Sequence, residues 1–301
     1  MAPVTILMAT SNAAAYLSQQ LASFAAQTHE DWALWASDDG SGDNTRELLQ
    51  DFARANPTRD IRILEGPRRG GAANFLSLLR HPDLRRSAVA FSDQDDVWHK
   101  DRLAKGLRMV DTTRPKLACG TSRLIDHTGQ PIRYSAPQKV PSFSFENALV
   151  QNIVAGNTVT LNPAACDLLR ADPDPGAVPF HDWWLYLRLT AGGIDIAHDP
   201  EPCIDWRQHS ANTLGHRRKG RHSRRTRLRQ MWDGTWAGWV QDNLQALLAL
   251  PDGSIDTQAR NKAEALASGM PRLRALRTSG AHRTTRFETG FVTVLSALGR
   301  F

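Results

Sequence analysis

Cysteine is scarce in this chain. There are three in 301 residues, Cys119, Cys166 and Cys203, far apart and odd in number. They lack the paired spacing of a zinc or redox site, which excludes a disulfide scaffold and suits a reducing compartment. No apolar run approaches the roughly 20 residues a bilayer-spanning helix needs. No signal peptide is expected, because Met1-Ala2-Pro3 leads straight into a strand-like segment. Acidic residues are missing altogether between Arg217 and Arg229, where eight Lys or Arg stand. That stretch carries the net charge of +6, and without it the chain is close to neutral. There is no internal repeat. What remains is an ordinary globular composition, 41% apolar and 23% charged. The length suits one large domain or a domain with an appendage.

Short apolar runs alternate with helix-period segments through the first third. Strands are expected over residues 4–8, 32–36, 61–64 and 88–92, and helices over 13–26, 43–55, 72–80 and 100–110. Asp43 is placed to cap its helix and Asn56-Pro57 to stop it. Such alternation implies βαβ units, a parallel sheet and helices on both faces. Beyond residue 112 the pattern changes. Strands are expected at 117–125, 156–161, 194–197 and 203–206, a turn at 127–130, and helices at 180–190 and from about 228 to 250. Pro251-Asp252-Gly253 ends the last of these, and the remainder is helical and polar, closing on a more apolar segment.

Two groups of aspartates follow strand-like runs: Asp38-Asp39, and Asp93, Asp95 and Asp96. Carboxylates crowded at the ends of neighbouring parallel strands repel one another unless a cation or polar ligand lies between them. In an open α/β sheet that edge is where ligands bind. The pattern points to a metal-assisted nucleotide site. Asp-Gly-Ser-Gly is also good turn chemistry, and Asp96 alone would serve as a helix cap.

The segments Ala9-Thr10-Ser11-Asn12, Asp38 to Thr45, Asn74-Phe75 and Asp93 to Trp98 occur in this order, followed by Gly156-Asn157-Thr158, His181-Asp182-Trp183-Trp184 and Arg207 to Asn212. Together they resemble family 2 glycosyltransferases, most closely the rhamnosyltransferase-like branch that makes bacterial surface polysaccharides. The resemblance implies the GT-A fold: a Rossmann-like, mixed but mainly parallel sheet flanked by helices, here with a C-terminal helical extension. It places a glycosyltransferase domain at 1–215, with 1–110 as nucleotide-binding half and 111–215 as acceptor-binding half. Residues 216–301 form the basic segment and extension. The family usually has Tyr before Asn12, where this chain has Ser11, so a difference in nucleotide affinity or preference is expected.

By resemblance, Asp95 holds a divalent metal, Mn²⁺ or Mg²⁺, and Asp93 contacts the ribose or assists the metal. Asp39 hydrogen-bonds the nucleobase with Asp38 beside it. Thr10, Ser11, Asn12 and Asn74 complete the nucleotide pocket. Asp182 is the expected general base, since a carboxylate within reach of the acceptor hydroxyl takes its proton as the bond forms. His209 approaches the metal or the diphosphate, and Arg207 the diphosphate. Asp96, Trp98 and Asn157 are expected on the substrate side. Trp183 and Trp184 either face a sugar ring or pack inside.

The donor expected is a dTDP- or UDP-linked sugar, and the acceptor a glycan or lipid-linked glycan. Inversion at the transferred carbon is carried over from the family. The basic stretch fits a cytoplasmic protein docked on the anionic inner face of the membrane, or a loop over the donor diphosphate. It lacks the interleaved aromatics of a nucleic-acid stacking platform. Two other readings compete: a nucleotide-sugar-binding protein without transfer activity, and a basic nucleic-acid-binding protein. A nucleotidyltransferase is disfavoured because residues 9–15 contain no glycine.

Overall fold

The run Val4–Thr10 (β1) is buried along almost its whole length, as a strand flanked on both sides and covered on both faces must be. It pairs in parallel with Trp32–Asp38 (β2) from Val4↔Trp32 to Thr10↔Asp38. On its other side it pairs in parallel with Ala88–Ser92 (β4), from Val4↔Ala88 to Met8↔Ser92. The half-exposed Ile61–Glu65 (β3) lies outside β2. The intervening helices are Leu17–Ala25 (α1), Thr45–Ala55 (α2) and Gly71–Leu79 (α3). The alternation read from the sequence is therefore present. Phe24, Trp32 and Trp98 meet edge to face in the core that α1 closes.

The structure, a computed structural model, describes residues 3–133, 142–209, 229–268 and 272–299. Most of the basic stretch, 216–228, lies outside them. The chain divides into two compact units. One comprises Met1–Val140, Val154–Ala171 and Ile196–Arg207, and the other Pro141–Ile153, Asp172–Asp195 and Gln208–Phe301.

Within the first unit the sheet continues through Val97–Trp98 (β5), Leu117–Ile125 (β6), Pro131–Arg133 (β7), Thr160–Leu161 (β8) and Ile196–Arg207 (β9). The order is β3-β2-β1-β4-β8-β6-β9-β5, with β7 beside β6. Helices Arg102–Met109 (α4) and Pro163–Ala171 (α6) flank it, α6 being capped by Asn162, whose Oδ1 accepts the Ala165 N–H at 2.9 Å.

Four expectations are corrected. Helix α1 begins at Leu17, because residues 11–16 are spent in a loop whose N–H groups bond elsewhere. Of the strand expected at 156–161, Gly156–Thr158 is a 3₁₀ turn and only β8 pairs. The two short strands expected at 194–206 are one bulged strand. Gly120 faces Asp199 while Thr121 faces Pro202, so Pro200 and Glu201 are extruded, as a proline without an N–H favours. The long helix expected from 228 is broken at Gly234 (φ +86°) and resumes as Thr235–Leu248 (α8). Trp232 and Trp236, four residues apart in sequence, therefore do not share one continuous helix. Trp236 and Val240 are buried and Trp232 is about half exposed.

The second unit is helical among its described residues: Phe145–Ala148 (α5), His181–Ala191 (α7), α8, Thr257–Ala267 (α9), Arg272–Ser279 (α10) and Arg286–Ala297 (α11). Helix α7 is buried nearly all round, which marks it as the central element. Trp183 Nε1 donates to Ala148 O at 2.7 Å, and the Tyr186 hydroxyl donates to Ser144 O at 3.0 Å. Arg188 forms a two-pronged ion pair with Asp172 (2.6 and 3.0 Å), both buried.

Removing one partner of such a pair strands a buried charge, at a cost of about 3–5 kcal/mol. Asp172→Ala is expected to lower unfolding stability in urea by about that amount. Arg54→Ala, which breaks the exposed Arg54–Asp51 pair, should change it by less than about 1 kcal/mol. A second expectation concerns Asp205. Burial raises its pKa, but hydrogen bonds and charge from His99 and Arg123 outweigh burial and hold it below the usual carboxylate range. A depressed folded pKa stabilises above the unfolded value and is lost as pH falls. The stability gap between wild type and Asp205→Asn should be constant above about pH 5 and close as pH falls below about 4.

Candidate functional site

Because β1, β2, β3 and β4 run parallel, the loops that follow them leave from one edge of the sheet. Side chains tie these loops together. Thr10 and Asp38, register partners at the strand ends, are buried, and Thr10 Oγ1 lies 3.3 Å from Asp38 Oδ1. Asp38 also accepts the Ser41 N–H (3.2 Å) and hydroxyl, and Arg46 lies 3.6 Å away. Asn12, in the left-handed region at φ +50°, donates its N–H to Ser41 Oγ (2.8 Å) and accepts the Gly42 N–H (2.9 Å). Asp43 accepts the N–H groups of Ala14 (3.0 Å) and Thr45 (3.1 Å). It thus binds loop to helix start, with α2 opening at Thr45 rather than directly behind Asp43.

Asp39 is half-buried and its carboxylate holds the third loop. It accepts the Arg68 N–H at 2.6 Å and the Gly70 N–H at 2.9 Å. Arg68 and Gly70 both take positive φ, which curls these two N–H groups onto one carboxylate. Each oxygen of Asp39 keeps acceptor capacity for a further donor. Gly66 is required by proximity, since a Cβ there would lie 2.7 Å from Asp39 Oδ1 and 2.9 Å from its Cα.

The fourth loop carries the acids. Carboxylate oxygens of Asp93, Asp95 and Asp96 lie within 4.8 Å of one another. Gln94, between them, clasps Ser11: its Oε1 accepts the Ser11 N–H at 2.7 Å and its Nε2 donates to Ser11 O at 3.1 Å. Asp96 is fully buried and accepts Asn157 Nδ2 (2.6 Å) and the Arg207 N–H (3.1 Å). Burial, then the charges of Asp93 and Asp95, push its pKa well above the usual carboxylate range. Beneath it Arg102, also buried, donates through Nη2 to Phe91 O (2.9 Å) and Asn157 O (2.8 Å) and stacks 3.5 Å over Trp98. Burial draws the pKa of this guanidinium down to about 10, against the opposing charges of Cys203 and Asp96.

The structure thus gathers Thr10, Ser11, Asn12, Asp38, Asp39, Asp93, Asp95, Asp96 and Asn157 at one sheet edge. It places others differently. Asn74 is buried and donates to Ser37 O at 2.9 Å, anchoring α3 to the end of β2. Trp98, expected against substrate, is a core residue 3% exposed. Arg207, expected on diphosphate, is fully buried. Its guanidinium donates to Asp95 O (2.9 Å) and to Gln19, so it shapes the acidic loop from behind. Trp183 and Trp184 are each 3% exposed, which selects core packing over a sugar platform. In the second unit Asp182 is half-buried in the first turn of α7, with Oδ1 accepting the Trp183 N–H at 2.8 Å. His209, half-buried, follows β9 by two residues.

Gln94, Arg102 and Gly66 matter to this geometry and escape a residue-by-residue reading. The signal for Arg102 is a cation on the apolar side of an otherwise amphipathic helix. Gln94 is visible only as the spacer between two acids.

Residues 5–166 match the family model for glycosyl transferase family 2. The chain belongs to this family. It is a glycosyltransferase that uses a nucleotide-sugar donor. Among its relatives is the dTDP-rhamnosyl transferase RfbG of Shigella flexneri, 28% identical over 215 residues, 69% of this chain and 73% of that protein. Another is the UDP-Glc:alpha-D-GlcNAc-diphosphoundecaprenol beta-1,3-glucosyltransferase WfgD of Escherichia coli, 28% identical over 193 residues, 62% of this chain and 69% of that one. The mannosyltransferase PcManGT of Pyrobaculum calidifontis, solved with GDP-Man and Mn²⁺, aligns with a TM-score of 0.52 at 17% identity, covering 99% of this chain and 87% of that chain. The GT-A fold expected for the family is present. No helix among the described residues is long and apolar enough to cross a membrane.

Gly66→Ala is expected to displace the backbone at Asp38 and Asp39 and lower glycosyl transfer at least about tenfold, while shifting the melting temperature by only a few degrees, since the collision is confined to the ends of β2 and β3. Parallel turnover and thermal-melt measurements would check it.

Proposed function

We propose that the chain moves a sugar, rhamnose in the favoured reading, from a nucleoside diphosphate donor to a hydroxyl of a glycan or lipid-linked glycan. The reaction is a metal-dependent, inverting displacement in cell-surface polysaccharide synthesis. The observation that carries it is the acidic trio on the loop after β4, beside the loops of β1, β2 and β3. Two half-buried carboxylates next to a third are a hard-oxygen donor set that fits Mg²⁺ or Mn²⁺. Asp95 and Asp93 would hold the ion, and Asp96, engaged by Asn157 and Arg207, would keep their loop in shape. A divalent ion bound there would supply a Lewis acid toward the diphosphate.

The chain's own groups do the rest. Asp39, braced by the Arg68 and Gly70 N–H groups, accepts a hydrogen bond from the base. Thr10, Ser11 and Asn12 border it, and Ser11, clasped by Gln94, stands where the family usually has Tyr. Asp182 accepts the acceptor hydroxyl's proton as the oxygen attacks the sugar's anomeric carbon from the face opposite the departing nucleoside diphosphate. His209 would help hold the ion or meet the diphosphate. The nucleotide-binding role falls to 1–110, and the acceptor role to 111–215 with Asp182. Favouring dTDP-rhamnose rests on the 28% identity to a dTDP-rhamnosyl transferase. A UDP-sugar is the alternative that the glucosyltransferase relative supports. The eight basic residues between 217 and 229 would attract an anionic inner leaflet, each worth about 1 kcal/mol near the surface. On this reading the protein works in the cytoplasm, at the membrane face.

The test is donor binding and slow hydrolysis across dTDP-, UDP- and GDP-sugars with Mn²⁺, Mg²⁺ or EDTA. One donor should bind in a metal-dependent way, and Asp95→Ala should abolish this. Asp182→Asn should keep donor affinity within about threefold while transfer falls about 10²–10⁴-fold. Donor binding indifferent to EDTA and to Asp95→Ala would overturn the metal assignment.

A further inference from the structure

The last helix, α11, has two apolar sides, and only one of them is used. Val292, Leu295 and Ser296 are buried in the second unit. The helix start is fixed there: Thr285 Oγ1 accepts the Glu288 N–H at 3.1 Å, and Arg283 Nη1 donates to Val150 O at 2.9 Å. Phe287, Phe291, Val294 and Leu298 follow a four-three-four spacing, which lines them along another side of the same helix. Phe287 is 75% exposed, Val294 52% and Leu298 57%, with Phe291 half-buried between them. These three belong to the five large exposed apolar residues of the described chain. A concentrated stripe of this kind marks a contact surface, whereas scattered single residues do not.

The charge around the stripe says what covers it. The outward residues beside it are Arg286, Gly290, Thr293 and Ala297. The helix's only acid, Glu288, is turned to Arg283, 3.5 Å away. On α10, Arg274 and Arg277 are exposed. From residue 269 to the end the chain has six arginines and one acid. A second copy of this face would bring Arg286 to Arg286 with no acid to pair them. An anionic lipid surface meets both requirements at once, accepting the apolar side chains and attracting the arginines.

We propose that α11 is an interfacial helix, lying in the plane of an anionic bilayer with Phe287, Phe291, Val294 and Leu298 inserted among the acyl chains and Arg286 at the headgroups. This deepens the membrane part of the reading above and rests on it. Residues 217–229 supply long-range attraction, and α11 supplies the insertion. Flat seating of a helix in the headgroup region, about 5–10 Å deep, holds the enzyme where a lipid-linked acceptor is presented.

The experiment is flotation of the full chain with vesicles of phosphatidylcholine alone or with phosphatidylglycerol, for wild type, for the double variant Phe287→Ser/Leu298→Ser, and for a variant with Arg217, Arg218, Arg224 and Arg225 changed to Gln. The substituted residues of α11 are exposed, so the double variant should melt like wild type. Wild type should float with anionic vesicles, and the double variant should bind at least tenfold more weakly even in low salt. Wild-type flotation kept in the double variant but lost in the Gln variant would leave docking by charge alone and overturn this inference, while the broader membrane reading survives. No flotation of wild type would remove both. A dimer that the double variant dissociates, with vesicle binding unchanged, would assign the stripe to self-association and overturn the inference. Donor binding is read separately, so failure of the donor panel would strike the glycosyl-transfer details and leave flotation standing.

Discussion

The buried carboxylate of Asp96 joins three places far apart in the chain. Asn157 reaches it from the turn before β8, Arg207 donates to it from the end of β9, and it stands itself between β4 and β5. A carboxylate taken fully out of water is costly unless donors meet its oxygens, and here both oxygens are met. That requirement ties the turn before β8 and the end of β9 to the loop after β4, and it gives the acidic loop its shape. Arg207 adds a hydrogen bond to Asp95 O. Asp93 and Asp95 are thereby displayed beside one another by a clasp behind them. Arg102 supports the same region by donating to Phe91 O and Asn157 O.

Around that clasp the site is made of loops holding loops. Gln94 grips Ser11, Ser41 and Gly42 grip Asn12, and Asp39 grips the backbone of Arg68 and Gly70. Functional residues often stand on loops set by a rigid scaffold. Here the scaffold is the parallel register that starts every loop at the same edge. Several polar residues expected to touch a ligand belong instead to this scaffolding. Asp38, Asn74 and Arg207 spend their hydrogen bonds on the protein, so they govern the site's form without facing outward.

Much of the site was legible because it follows strand ends. The apolar runs at 4–8, 32–36 and 88–92 and the acids just after them needed only the period of a buried strand and the rule that ligands meet its C-terminal edge. Legibility failed where residue type and environment part company. Trp183 and Trp184 read as sugar platforms or core and Trp98 as a substrate contact, and burial places all three in the core. Pro200 and Pro202 split a strand in the sequence, yet the sheet carries it through by bulging at Pro200-Glu201 and again at Cys203. Trp232 kept the helical period of Trp236, but Gly234 turns the chain between them.

The order of segments, the alternation of strand and helix, the family and the acids of the candidate site are properties of the linear sequence. They depend on local periodicity and on residue types at short spacing, which a chain carries before it folds. Which aspartate is displayed and which is buried was settled only by tertiary structure, because burial and hydrogen-bond partners come from segments a hundred residues away. The same holds for the two sides of α11. Its apolar residues are plain in the sequence, but only packing shows that Val292 and Leu295 are consumed by the fold while Phe287, Val294 and Leu298 are left for something else.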